Sequence, residues 1–133
     1  MLDELISKGR INTQTWNGTL SEAQLAWFSN EIEAAKTAGQ KVIIFAHHPI
    51  YPSHKENMLK DEELLPVIAK PEVKAFINGH NHFGNYGQYK HMHCLTIRGM
   101  VDTAENAYAL AHVYDDHIKI EGHGREPDRT LSF

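Results

Sequence analysis

Two kinds of hydrophobic spacing divide the chain. Across residues 22–38, Leu25, Phe28, Ile32 and Ala35 recur at intervals of three and four, one apolar face of a helix. Ser21-Glu22-Ala23-Gln24 supplies a capping box at its start, Leu20 and Leu25 fit the accompanying staple, and Gly39 stands where the helix should stop. Trp27 lies beside this face and is expected to widen it. Residues 41–46 are instead a continuous apolar run rich in β-branched side chains, the pattern of a strand buried on both faces. Pro49 and Pro52 forbid its continuation, so residues 46–54 read as a loop at the strand's carboxyl end.

Asp61-Glu62-Glu63 then opens a short helix carrying Leu64, Leu65, Val67 and Ile68, weakened by Pro66 and ended by Lys70-Pro71. Residues 73–77 form the next apolar run. Strand, helix and strand in this order predict two parallel β-strands joined by a right-handed crossover. Beyond residues 79–84 the spacing changes to antiparallel grammar. Short strands are expected at 93–97, 107–114 and 117–121, the last two turned by Asp115-Asp116, with an extended polar tail over 122–133. Before the first long helix, Leu2, Leu5 and Ile6 fit a helix end stopped by Gly9, and Asn17-Gly18 marks a turn. No repeat, low-complexity tract or interdomain linker interrupts the pattern. Residues 1–133 read as a single unit, α/β passing into antiparallel β.

Composition alters this picture at one point. The apolar fraction of 41% and charged fraction of 23% are ordinary for a globular chain. A net charge of −4 gives no electrostatic footprint for nucleic acid. No apolar run approaches the ~18 residues that mark a membrane-spanning helix, so no membrane role is expected. The single Cys94 excludes an intrachain disulfide and favours a cytoplasmic location. Ten histidines against one cysteine are the anomaly, favouring metal sites of imidazole with oxygen over a thiolate zinc knot.

The histidines matter where they follow strands. His47 and His48 end the run 41–46, and Gly79-His80-Asn81-His82 follows the run 73–77. In an open α/β sheet, ligands gather outside the carboxyl ends of the strands, and parallel strands place those ends together. His47, His80 and His82 are therefore candidate metal ligands by topology alone, with Gly79 expected to take the sharp turn. A lone histidine after a strand is more often an ordinary loop or packing residue; two independent strand ends argue otherwise. His48 is a candidate ligand or substrate contact, or a side chain turned away from the cavity. Asn81 either touches substrate, orients the loop or is a plain turn residue, and His93 is a candidate for contact behind the ligands. His54, His91, His112, His117 and His123 share no spacing and read as surface or packing residues.

Phe45-Ala46-His47-His48-Pro49 and Gly79-His80-Asn81-His82, about thirty residues apart, resemble the last two metal-binding motifs of the calcineurin-like metallophosphoesterases. Trp16-Asn17-Gly18-Thr19-Leu20, Gln24-Leu25-Ala26-Trp27 and the stretch from Leu95 to Thr103 narrow the likeness to the manganese-dependent ADP-ribose/CDP-alcohol diphosphatase branch. The resemblance implies a metallophosphoesterase-type α/β/β/α sandwich and hydrolysis of a phosphoester or diphosphate with two divalent metals, manganese first, iron or zinc next. His47 and His80 would hold one ion and His82 the other, and a small phosphorylated substrate such as ADP-ribose or a CDP-alcohol would be the partner. A phosphomonoesterase or cyclic-nucleotide phosphodiesterase of the same superfamily is the alternative. Three earlier motifs of that family, Asp-x-His, Gly-Asp and Gly-Asn-His-Asp/Glu, do not occur ahead of the run 41–46, where the family carries them. The bridging carboxylate and the catalytic proton donor are thus unassigned in this chain. It reads as the carboxyl-terminal half of such a domain, a non-catalytic metal-binding fragment or one part of a split enzyme. Self-association, or pairing with the missing amino-terminal half, is expected from its uncovered sheet.

Overall fold

A computed structural model describes residues Met1–Phe133. Helices α1 (Leu2–Ser7) and α2 (Glu22–Thr37) precede strand β1 (Val42–Phe45); α3 (Asp61–Ile68) then leads to β2 (Val73–Asn78). Five further strands follow: β3 (Asn85–Tyr89), β4 (Met92–Thr96), β5 (Ala107–Val113), β6 (His117–Gly124) and β7 (Arg129–Ser132). The predicted capping box forms: the Ser21 hydroxyl accepts from the Gln24 amide while Gln24 Oε1 accepts from the Ser21 amide. The α3 helix survives Pro66 because Leu64, Leu65 and Ile68 are buried against the sheet, outweighing the lost backbone bond.

The strands form two sheets, one ordered β1-β2-β4-β3 and one ordered β5-β6-β7. The first sheet separates two cores. Phe76 and Cys94, paired neighbours on β2 and β4, face the helices and pack with Ile32, Leu65 and Ile68. Ala75, Ile77 and Leu95 face the other way, against Ile118, Ile120 and Leu131 of the second sheet. The alternation follows from the period of two along a strand. The result is helices, sheet and sheet in three layers, agreeing with the expected sandwich class. Burial pushes the Cys94 thiol up to about 12, so it sits in the core as a small apolar residue.

Several expectations need correction. Strand β4 runs parallel to β2, with only its hairpin partner β3 antiparallel, so three strands of the first sheet are parallel rather than two. The strand β3 escaped the sequence reading because Asn85-Tyr86-Gly87-Gln88-Tyr89 carries little apolar signal; its pairing with β4 holds it. The tail is not merely extended: β7 pairs antiparallel with β6 and buries Leu131. Strand β1 is not buried on both faces. It is an edge, and Phe45 is 74% exposed. Trp27 is 63% exposed and does not join the helix's buried stripe. Both residues border a cavity of about 490 Å³ with Leu20, Phe28, Ile44 and His48. A second cavity of about 500 Å³ opens on the other side of β1, lined by Phe45, Ile77, Ile97, Met100, Tyr108 and Ala109. The Phe45 end of this apolar edge strand therefore lies open on both faces.

Candidate metal centre

The two strand-end loops meet as topology required. The carbonyl of His47 accepts from the Gly79 amide at 3.1 Å, and the Ala46 amide donates to the Ile77 carbonyl at 3.1 Å, which stitches the end of β1 to the end of β2. These bonds bring the imidazoles of His47, His48 and His80 together, one ring nitrogen of each within 4.8 Å of the others. His80 Nδ1 lies 3.1 Å from His47 Nε2. Three imidazoles gathered from two strand ends form a donor set for a cation.

A separation of 3.1 Å also fits two nitrogens on one ion. Bonds of about 2.1 Å place two ligands about 3.0 Å apart at a right angle and about 3.4 Å apart at the tetrahedral angle. The loop geometry holds the rings there. His80, not Gly79, takes the left-handed conformation, with φ of 63°. A non-glycine residue held in that region is costly unless its surroundings enforce it, and such strain collects at functional sites. A side chain at Gly79 would meet nothing closer than the His47 carbonyl at 4.0 Å, so the expectation for Gly79 is corrected. Asn81 is buried within the loop: its Oδ1 accepts from the Phe83 amide and its backbone carbonyl from Gly84. Its visible contacts shape the turn.

His48 enters the cluster beside His80, with ring centroids 4.2 Å apart, and its Nε2 stands 3.3 Å from both the Gly18 amide and the Trp16 carbonyl. It therefore faces the other two histidines and anchors the Trp16–Gly18 turn. Burial is the largest cause holding the His48 and His80 imidazoles below their ordinary values, and neighbouring histidines add to it. Both features favour the neutral rings a metal requires.

His82 stands apart from this group of three. Its Nδ1 meets Asp102 Oδ1 at 3.0 Å, and it borders the same cavity as His47 and His80. His93 lies elsewhere: its nitrogens engage the Tyr86 hydroxyl and the Ser132 carbonyl, tying β3, β4 and β7 together. His91, His112 and His117 bond to Lys70, Glu121 and Asp116, away from the cluster. Two residues that the sequence reading passed over approach the site. Asn17 Oδ1 lies 3.2 Å and Glu56 Oε2 3.3 Å from His80 Nε2. Neither has a spacing signal, because both arrive from loops remote in sequence. Beneath the loop, the side chains of Asn78 and Thr96 at the ends of β2 and β4 are buried without hydrogen-bond partners.

The same residues carry the likeness to known proteins. The family model for calcineurin-like phosphoesterase matches residues 2–84, a stretch containing His47, His48, His80 and His82. The chain is 33% identical over 125 residues to the manganese-dependent ADP-ribose/CDP-alcohol diphosphatase of Homo sapiens, covering 89% of this chain and 36% of the human protein. The enzyme of that name from Arabidopsis thaliana is 28% identical over 117 residues, covering 83% of this chain and 38% of its own length. A crystal structure of a dimetal phosphatase from Danio rerio matches with a TM-score of 0.86 at 28% identity, covering 92% of this chain and 41% of that one. The chain thus spans little more than a third of the curated relatives it matches. Histidines gathered by the ends of parallel strands, a sheet-on-sheet core and a match running through both loops agree: the chain belongs to the calcineurin-like phosphoesterase family.

Proposed function

We propose that this chain supplies part of the active site of a divalent-metal-dependent hydrolase acting on a phosphoester or diphosphate bond. The observation that carries the reading is the convergence of His47, His48 and His80 from two strand ends. His47 and His80 would hold one ion and His82 a second, with His48 nearest the substrate and Asn81 shaping the loop. Manganese is the favoured ion, because the relatives named above are manganese-dependent. The same names favour a nucleoside-diphosphate-linked substrate such as ADP-ribose or a CDP-alcohol. Bound divalent ions would lower the pKa of water and neutralise charge on the attacked phosphate. The chain's own part is to present imidazoles on a fixed loop beside the apolar cavity lined by Ile77, Ile97 and Met100.

The exposed flanks of β1 favour a second part to the reading. The site is completed by polypeptide that covers these flanks and brings the carboxylates, either a further stretch matching the remaining length of the relatives or a separate chain. Left alone, the open edge favours self-association. A reducing compartment such as the cytoplasm suits its single buried thiol.

Hydrolysis of ADP-ribose with manganese tests both parts. The chain alone should give no turnover above a His80→Ala variant, and addition of the amino-terminal portion of a relative should restore it. Equal turnover by the chain alone would remove the need for a completing stretch. No turnover in either arrangement, with manganese bound, would sink the hydrolase reading.

A further inference from the structure

Resting on that metal-site reading, we propose that Glu56 and Asp102, with Asn17, are positioning residues that decide which ring nitrogen each loop histidine offers to a metal. Donors and acceptors at three side chains fix the assignment. Asn17 Nδ2 donates to the carbonyls of Asn12 and Lys55, at 2.9 and 2.7 Å, so its amide cannot be turned over without losing both bonds. Asn17 Oδ1 is therefore the atom that faces His80 Nε2, and an amide oxygen only accepts. The second atom against His80 Nε2, Glu56 Oε2, also only accepts. His80 Nε2 must carry the proton, which leaves Nδ1 as a bare lone pair aimed at His47. At His82 the assignment is reversed. Asp102 Oδ1 accepts a hydrogen bond from Nδ1–H, leaving Nε2 bare.

Both carboxylates are themselves held. Trp16 Nε1 donates to Glu56 Oε2 at 2.8 Å, and the Glu56 amide donates to His54 Nδ1 at 3.2 Å. Asp102 belongs to a loop bound to the histidine segment by the Gly99 amide donating to the His82 carbonyl at 2.9 Å. Arg125 donates to the carbonyls of Gly99 and Glu105, gripping that loop on both sides of Asp102. A carboxylate behind a ligating imidazole fixes its tautomer and orientation and raises its basicity. The two histidines of one short loop thus present opposite nitrogens because acceptors from different loops stand behind each. That lets rings two residues apart address different points in space.

The test has a metal-free arm and a metal arm. Nitrogen-15 correlation spectra at about pH 8, above the ordinary histidine range, should show the Nε2–H form for His80 and the Nδ1–H form for His82. The second is diagnostic, since free imidazole side chains rest mostly as Nε2–H. Asp102→Ala should return His82 to that form and Asp102→Asn should keep Nδ1–H, while amide spectra show both variants folded. The Nε2–H form at His82 in the unaltered chain, or no change in Asp102→Ala, would overturn the proposal. With manganese, Glu56→Ala and Asp102→Ala should each weaken binding about 10–100-fold, with recovery in Glu56→Gln and Asp102→Asn. Unchanged affinity in both alanine variants, with binding lost in His80→Ala, would sink the positioning role and spare the metal site. Affinity unchanged even in His80→Ala would sink the metal site, while the metal-free spectra would still decide what sets the rings.

Discussion

The chain contains two polar clusters, and they are built on opposite principles. The first surrounds Asp61 at the start of α3. Its carboxylate accepts from Arg10, Asn12, Asn57 and the Glu62 amide, and Arg10 also reaches Glu62 and Glu63. The side chains of Arg10 and Asp61 are only 13% and 8% exposed, yet charge meets opposite charge and almost every polar atom has a partner, Asn57 Oδ1 excepted. The second is the histidine cluster, where three imidazoles face one another and the one carboxylate beside them, Glu56, stands against His80. A closed cluster fastens the amino-terminal segment to α3; an open one has lone pairs to give. Asn17 connects them, donating to the Asn12 carbonyl on one side and accepting from His80 on the other. What separates a structural network from a binding site here is whether donors are matched by acceptors, not burial.

The largest effect that can break this comparison is expected at Asp61. Asp61→Ala removes the acceptor shared by the largely buried Arg10 guanidinium and two buried amides and should cost about 3–5 kcal/mol in urea unfolding. A loss no greater than that of an exposed residue would show that the first cluster is not closed. Next comes the response to metal. Manganese at about 100 times its Kd should stabilise the chain by about 2.7 kcal/mol, with no effect in His80→Ala. A melting transition indifferent to manganese in both would leave the second cluster without its distinguishing property. At the bridge, Asn17→Ala should cost about 1–3 kcal/mol through the carbonyls it abandons, and weaken manganese binding as well. Asn12→Ala should lower stability while sparing manganese affinity, so equal loss of affinity in the two would merge the clusters into one. The smallest effect is at His47. Without metal, His47→Ala should change stability by no more than about 0.5 kcal/mol, because the residue is exposed and balances no charge. A large loss there would mean that the histidines hold the fold.

The sequence was most legible where a rule acts over a few residues. The α2 helix could be placed from its cap and stripe, and β1 and β2 from their apolar runs. It failed where a residue's fate depends on what lies across from it. Phe45 and Trp27 have the character of core residues, and only the third dimension shows the uncovered flank beside them. The parallel pairing of β4 with β2 was equally hidden, since the short β3–β4 hairpin looks the same whichever neighbour β4 takes.

The candidate site divides in the same way. That His47 and His80 would meet followed from strand order alone, because parallel strands joined by a helix must end on one side of a sheet. The tertiary structure decided that His48 joins them and that His82 turns toward Asp102. It also brought Asn17 and Glu56 behind His80 from 63 and 24 positions away in the chain, and assigned the left-handed turn to His80 instead of Gly79. Side-chain spacing along a strand fixes which residues share an end. Which nitrogen points where is set by acceptors from remote loops, and those distances exist only in the folded chain.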